Sequence, residues 1–190
     1  LTPFQRRRHW IDAPAPLLGE AIETPTGETL RAVHLPPARL GLLRQHRVDG
    51  APLLPAALHL AALAAGGPVA DLSIERPLPL DGRPLLQLWE DADGLRIMAR
   101  HDGAWSRLAS ARRAAPTPPL AAWPADGAAV PIETWTAAMA RAGLAFGPAF
   151  RPLRALRIGP VGACAQIEAA DPIVALDAGL QAIGAAVALA

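Results

Sequence analysis

Two short stretches of the 190-residue chain carry side chains whose type and spacing suit proton transfer. The first is Gln45-His46-Arg47-Val48-Asp49-Gly50, with Pro52 and Pro55 leading into an apolar run from Leu53 to Ala65. Proline is tolerated in the first turn of a helix, where its missing N–H is not needed, so Pro55 marks a helix start. Gly50 permits a backbone conformation and a close approach that other residues resist. His46 therefore stands near a helix N-terminus, whose free N–H groups and dipole favour a developing negative charge. A base beside such a site suits removal of a proton next to a carbonyl. A loop histidine held by a backbone carbonyl fits the same residues. The second stretch is Asp177-Ala178-Gly179-Leu180-Gln181, whose polar ends are four apart and share one helix face. A carboxyl in apolar surroundings has a raised pKa and can hold a proton for a general-acid step. An aspartate complementing the dipole at a helix N-terminus is the other reading of Asp177.

No other cluster competes with these. His34, His59 and His101 form no metal-ligand spacing with a cysteine or glutamate, so no metal site is expected. Cys164 has no partner for an internal disulfide, which points to a reducing compartment. It lies in an alternating run from Val161 to Ile167 and is expected as a small buried hydrophobe. The net charge of +1, with no basic stripe interleaved with aromatics, gives no argument for nucleic acid. A hydrophobic content of 52% against 18% charged residues describes a globular chain. No apolar stretch reaches bilayer-spanning length, since Asp171, Asp177 and Gln181 interrupt the Ala-rich C-terminal segment. PFQRRRHW (3–10) has no apolar stretch behind its arginines, which argues against a signal peptide. A soluble cytoplasmic protein without a membrane partner is expected.

The elements that must position His46 and Asp177 follow from the pattern. Residues 28–36 alternate as a half-buried strand does. The Leu53–Ala65 run is apolar all round except for His59, stops at Gly66-Gly67 and must be wrapped by other structure. Three strand-like runs come next, Pro84–Glu90, Leu95–Arg100 and Ala104–Ala111, separated by the turn signals Ala92-Asp93-Gly94 and His101-Asp102-Gly103. A buried helix followed by an antiparallel meander is the order of a hot-dog fold. Residues 114–131 are rich in proline and alanine and read as a linker. A short helix over Glu133–Arg141, a strand pair within Leu153–Ala169 and a second apolar helix from residue 170 onward repeat the theme. The predicted architecture is α+β: a lead-in over 1–14, an N-terminal hot dog over 15–113, a linker over 114–131 and a C-terminal hot dog over 132–190. No meander follows the second helix, so this second unit is expected to be incomplete, its helix needing cover from more chain or another chain.

Taken together, these residues resemble the dehydratase domains of modular polyketide synthases. His46 to Gly50 through Pro55 matches that family's HxxxGxxxxP motif, and Asp177 to Gln181 its DxxxQ motif. GLAFGPAF (143–150), with Gly147 and Pro148, resembles GYxYGPxF. PFQRRRHW looks like the linker after an acyltransferase, PLLG (16–19) like the usual domain start, and Trp105-Ser-Arg-Leu-Ala like the end of the first hot dog. The matches run in order over nearly the whole chain. The resemblance implies a double hot-dog fold in which His46 and Asp177 meet between the halves. His46 would remove the α-proton of a β-hydroxyacyl thioester, Asp177 would protonate the departing hydroxyl, and Gln181 would orient Asp177. It further implies substrate delivery on the phosphopantetheine arm of an acyl carrier protein, no metal or redox cofactor, neighbouring acyltransferase and ketoreductase domains, and a homodimer. A double-bond isomerase, a pyran-forming cyclase, or an inert structural domain on the same fold remain open. This sequence departs from the pattern at Ala56 (glycine in the family), at Ala15 (histidine) and at Leu144 and Phe146, which replace both tyrosines of GYxYGPxF.

Overall fold

The computed structural model describes residues 16–116, 127–160 and 162–189. The lead-in over 1–14 and most of the 114–131 linker thus lie outside the described residues. In chain order the elements are β1 (Ile22–Glu23), β2 (Thr29–Val33), α1 (Pro37–Leu43), β3 (His46–Val48), β4 (Ala51–Pro52), α2 (Ala56–Ala64), β5 (Val69–Ile74), β6 (Leu85–Asp91), β7 (Gly94–His101) and β8 (Ala104–Arg113). They continue with β9 (Ala128–Ala129), α3 (Ile132–Arg141), β10 (Leu144–Phe146), a 3₁₀ turn (Pro148–Phe150), β11 (Leu153–Gly159), β12 (Gly162–Ile167) and α4 (Pro172–Leu189).

The two hairpin signals do what their chemistry dictates. Asp91 opposes Gly94 at one end of the meander and His101 opposes Ala104 at the other. Gly94, Asp102 and Gly103 all take positive φ, which tight hairpin turns require. Alternation then places Leu86, Leu88, Leu95, Ile97, Ala99 and Ala109 on one buried face, and a register shift in β8 buries the adjacent Leu108 as well. The antiparallel sheet runs in the order β1-β2-β6-β7-β8-β5, and α2 packs against β5, β7 and β8. Ala57, Leu58, Ala62 and Leu63 of α2 are fully buried against that face. Each leucine so buried contributes about 2 kcal/mol of hydrophobic stabilisation.

The end of α2 has a specific anchor. The Arg113 guanidinium donates to the carbonyls of Leu63 and Gly67, 3.2 and 3.4 Å away, and pairs with Glu90. Gly66 leaves room for that guanidinium, because a β-carbon there would sit 2.6 Å from it. The helix stop at Gly66-Gly67 is therefore set by a side chain from β8 as well as by the glycines.

The second unit is built on α4 and a three-stranded sheet, β12-β11-β9. β9 falls in the span expected to be linker, where its pairing with β11 holds the chain to the sheet. α4 serves two cores. Ile173 and Val174 join the core around α2, while Ala178, Ala182 and Ala185 pack with Leu153, Leu156, Trp135 and Met139. Beyond these faces Ile183 and Val187 are 62% and 81% exposed. Cys164 is exposed, contrary to its expected burial. It sits on β12, an edge strand, where Ala163 and Ala165 on either side of it are the residues packed toward the core.

α2 also buries His59, whose Nδ1 has no hydrogen-bond partner among the described residues. Desolvation lowers its imidazole pKa from 6.5 to about 4. The unfolded chain takes up a proton at the ordinary value and the folded chain only near the lower one. Stability is therefore expected to fall by up to about 3 kcal/mol as pH drops through that window, and His59→Leu to flatten the fall. Urea midpoints at pH 7 and pH 4.5, wild type against variant, measure the difference; equal slopes would contradict it.

Candidate active site

A two-residue hairpin turn sets the position of His46. Asp49 and Gly50 both adopt positive φ, at 48° and 79°, between Val48 of β3 and Ala51 of β4, which oppose each other. The space around Gly50 is open, so the glycine is required for its φ and not for a close approach. His46 is thus the first residue of a strand, not a loop residue as its polar neighbours suggested. Its backbone carbonyl accepts from the Leu53 N–H at 3.1 Å, and its Nδ1 lies 3.2 Å from the Leu53 carbonyl. A carbonyl can only accept, so Nδ1 carries the proton and Nε2 is left as the basic nitrogen. Nε2 has no protein partner among the described residues. The contact with a backbone carbonyl thus fixes the tautomer and leaves Nε2 facing the cavity without such a partner. Leu53 in turn is strapped by a bridge to Pro79, and the Leu54 N–H donates to Leu78. Pro55 directly precedes α2 as its N-cap.

β10 pairs with β3 and closes the site from the other half. Leu144 opposes Val48, Ala145 opposes Arg47 and Phe146 opposes His46. The Phe146 ring stacks on the imidazole with centroids 5.0 Å apart and planes at 29°, and Phe150 meets it edge-on at 5.6 Å. Gly143 has φ +80°, and its carbonyl accepts from the Asp49 N–H at 2.7 Å. Gly147 lies against Gln45, and Pro148 opens the 3₁₀ turn that carries Phe150.

Asp177 lies in the second turn of α4 and is 4% exposed. The helix N-terminus is capped by Asp171, whose Oδ1 accepts from the Ile173 and Val174 N–H groups. That role is taken, and Asp177 faces inward instead. Its Oδ2 accepts from Gln181 Nε2 at 2.8 Å, and the same nitrogen donates to the Phe150 carbonyl at 3.4 Å. Burial holds the Asp177 carboxyl above the ordinary carboxylate range; the Gln181 hydrogen bond and the nearby His46 imidazole offset part of that rise.

His46, Asp177 and Gln181 open into one cavity of about 400 Å³, walled by Phe146, Leu144, Trp135, Met139 and Leu180, with Ala56 from the start of α2. A few convergent polar groups in an apolar cavity are the mark of a small-molecule site. Of the five residues of the two sequence motifs, His46, Asp177 and Gln181 line this cavity, while Gly50 lies in the β3–β4 turn and Pro55 at the head of α2. The places of Phe146 and Trp135 on the cavity wall were not foreseen from the sequence. The stacking at Phe146 follows from a register between distant strands that no local pattern shows. Among the described residues no group of His, Cys, Asp and Glu could hold a metal ion, and no helix is long and apolar enough to cross a membrane.

Comparison with known proteins agrees with this geometry. The family model "Polyketide synthase dehydratase domain" matches residues 15–94, and "Polyketide synthase dehydratase N-terminal domain" matches residues 114–190. The spectinabilin polyketide synthase system protein NorA' of Streptomyces orinoci is 34% identical over 191 residues, 80% of this chain and 5% of that protein. A solved structure concerned with dehydratase substrate selection in the borrelidin and fluvirucin polyketide synthases is 27% identical, with a TM-score of 0.71, over 90% of this chain and 72% of that one. The dehydratase domain of the polyketide PpsC from Mycobacterium tuberculosis is 25% identical, with a TM-score of 0.69, over 92% and 76%. The chain has the α+β double hot-dog fold and belongs to the polyketide synthase dehydratase family. It spans a small fraction of the length of the synthase proteins it matches.

The raised Asp177 pKa has a consequence for stability. Stability from this carboxyl is complete below its unfolded pKa and is lost as pH rises through the higher folded value. Asp177→Asn, which keeps an acceptor for Gln181, is expected to raise the melting temperature at pH 8 and to leave it unchanged near pH 4. Thermal scans followed by circular dichroism at both pH values check this, and an equal effect at the two would contradict it.

Proposed function

We propose that this chain dehydrates a β-hydroxyacyl thioester to the α,β-unsaturated thioester, its substrate delivered on the phosphopantetheine arm of an acyl carrier protein. The observation that carries the reading is a free imidazole Nε2 and a buried carboxyl of raised pKa opening into the same apolar cavity. His46 Nε2 takes the α-proton. The electron pair of that C–H bond forms the double bond as the β-carbon–oxygen bond breaks. Asp177 gives its proton to the departing hydroxyl, which leaves as water. The imidazolium and carboxylate that remain exchange a proton to reset the pair. The first N–H groups of α2, which begins at Ala56 on the cavity wall, stabilise charge building on the thioester oxygen. The reading needs proton transfer alone, places the chain among the hydro-lyases, and makes it a cytoplasmic, homodimeric part of a synthase beside acyltransferase and ketoreductase domains.

A single-turnover assay with a β-hydroxyacyl pantetheine thioester tests it, with products identified by mass spectrometry and NMR. Wild type is expected to release water and form the alkene, and His46→Phe and Asp177→Asn each to lose about a hundredfold or more. The wild-type rate is expected to fall on the alkaline side, as Asp177 gives up its proton. An isomerised or cyclised product would replace the proposed reaction, and equal dehydration by all three proteins would remove the pair from it.

A further inference from the structure

His46 and Asp177 come from different halves of the chain, so their separation depends on what joins those halves. The 3₁₀ turn over Pro148–Phe150 touches both. Its Phe150 ring meets the imidazole edge-on, and its Phe150 carbonyl receives the N–H of Gln181, the residue that holds Asp177. The turn is seated by Gln45, the residue directly before His46. The Gln45 backbone carbonyl accepts from the Gly147 N–H at 2.8 Å, and its side-chain Oε1 accepts from the Ala149 N–H at 3.0 Å. The seat is tight: a β-carbon at Gly147 would lie 2.7 Å from Gln45 Oε1 and 2.8 Å from its Cβ. Gln45 therefore grips the turn at two points, one on each side of Pro148. Its own position is fixed by the chain to the imidazole.

We infer that Gln45 is a positioning residue that sets the separation of the His46 base and the Asp177 acid through the Pro148–Phe150 turn. The inference rests on the dehydratase reading for its effect on rate. Without the Oε1 acceptor the Ala149 N–H is left unpaired, the turn drifts from β3, and Phe150 and Gln181 drift with it. A displacement of about 1 Å in a reacting pair costs up to about a hundredfold in rate.

The test compares Gln45→Leu, which keeps the volume and removes the acceptor, with Gln45→Glu, which keeps an acceptor at the same reach. On a β-hydroxyacyl pantetheine thioester Gln45→Leu is expected to lose about tenfold or more in kcat with KM within about twofold, and Gln45→Glu to regain most of the loss. Gln45→Asn, whose amide is drawn back by one carbon, is expected to fall with Gln45→Leu and stands in for it should the leucine variant not fold. A wild-type kcat in Gln45→Leu, or equal losses in the leucine and glutamate variants, would overturn the assignment. A second readout is independent of turnover. The carboxyl ¹³C titration of Asp177 is expected to move upward in Gln45→Leu, because the Gln181 hydrogen bond and the neighbouring imidazole that hold it down both loosen as the turn drifts. An unmoved titration would overturn the positioning role even if wild type fails to dehydrate the thioester, an outcome that would count against the proposed function alone.

Discussion

The antiparallel pairing of β3 with β10 holds the site together. It joins stretches that are far apart in sequence; the Ala149–Gln45 hydrogen bond alone spans 104 positions. The core around α2 takes in Phe150, Ile173 and Val174 from the second half, whereas the core around α4 is built from second-half residues alone. Three further contacts lock this short ladder: Asp49 N–H to Gly143, Gly147 N–H to Gln45, and Ala149 N–H to the Gln45 side chain. Strand pairing over three residues is weak taken alone. The ladder holds because α2 and α4, packed on each other behind it, have already brought the halves together.

α4 carries the second constraint. Its alanine face, Ala178, Ala182 and Ala185, lets it lie close to its own sheet, while Ile173 and Val174 reach into the other core. Asp177 falls where both faces are covered, so a carboxyl is buried at a cost that its single strong hydrogen bond only partly offsets. That cost is also what raises the pKa of the carboxyl. Asp171 takes over the N-terminal capping that an aspartate on this helix would otherwise supply, which leaves Asp177 free for the cavity.

Local chemistry made much of this legible in the sequence. The meander β6-β7-β8 could be read from alternation and two Asp-Gly turns, and the helices α2 and α4 from their apolar runs. The Asp177–Gln181 contact follows from a spacing of four on one helix, and their places at the site were implied by the ordered motifs. What escaped depends on contacts between distant residues. His46 looked like a turn residue because its strand is three residues long and its partner lies in the other half. β9 was hidden in a proline-rich stretch because only β11 makes it a strand. Cys164 reads as buried from alternation, yet alternation cannot say which face of an edge strand is covered.

The departures at Leu144 and Phe146 take on meaning against this frame. The GLAFGPAF segment divides into two sets of residues. Gly143, Gly147, Pro148 and Phe150 are tied to backbone geometry: a positive φ, a close contact with Gln45, a turn start and a fully buried ring. Leu144 and Phe146 instead line the cavity, where they present apolar surface. Phe146 still stacks on His46, so the imidazole keeps its packing without a phenolic hydroxyl. With both tyrosines replaced, the titratable groups left on the cavity wall are the imidazole and the carboxyl themselves. In this chain the polarity of the cavity wall therefore falls on His46, Asp177 and Gln181.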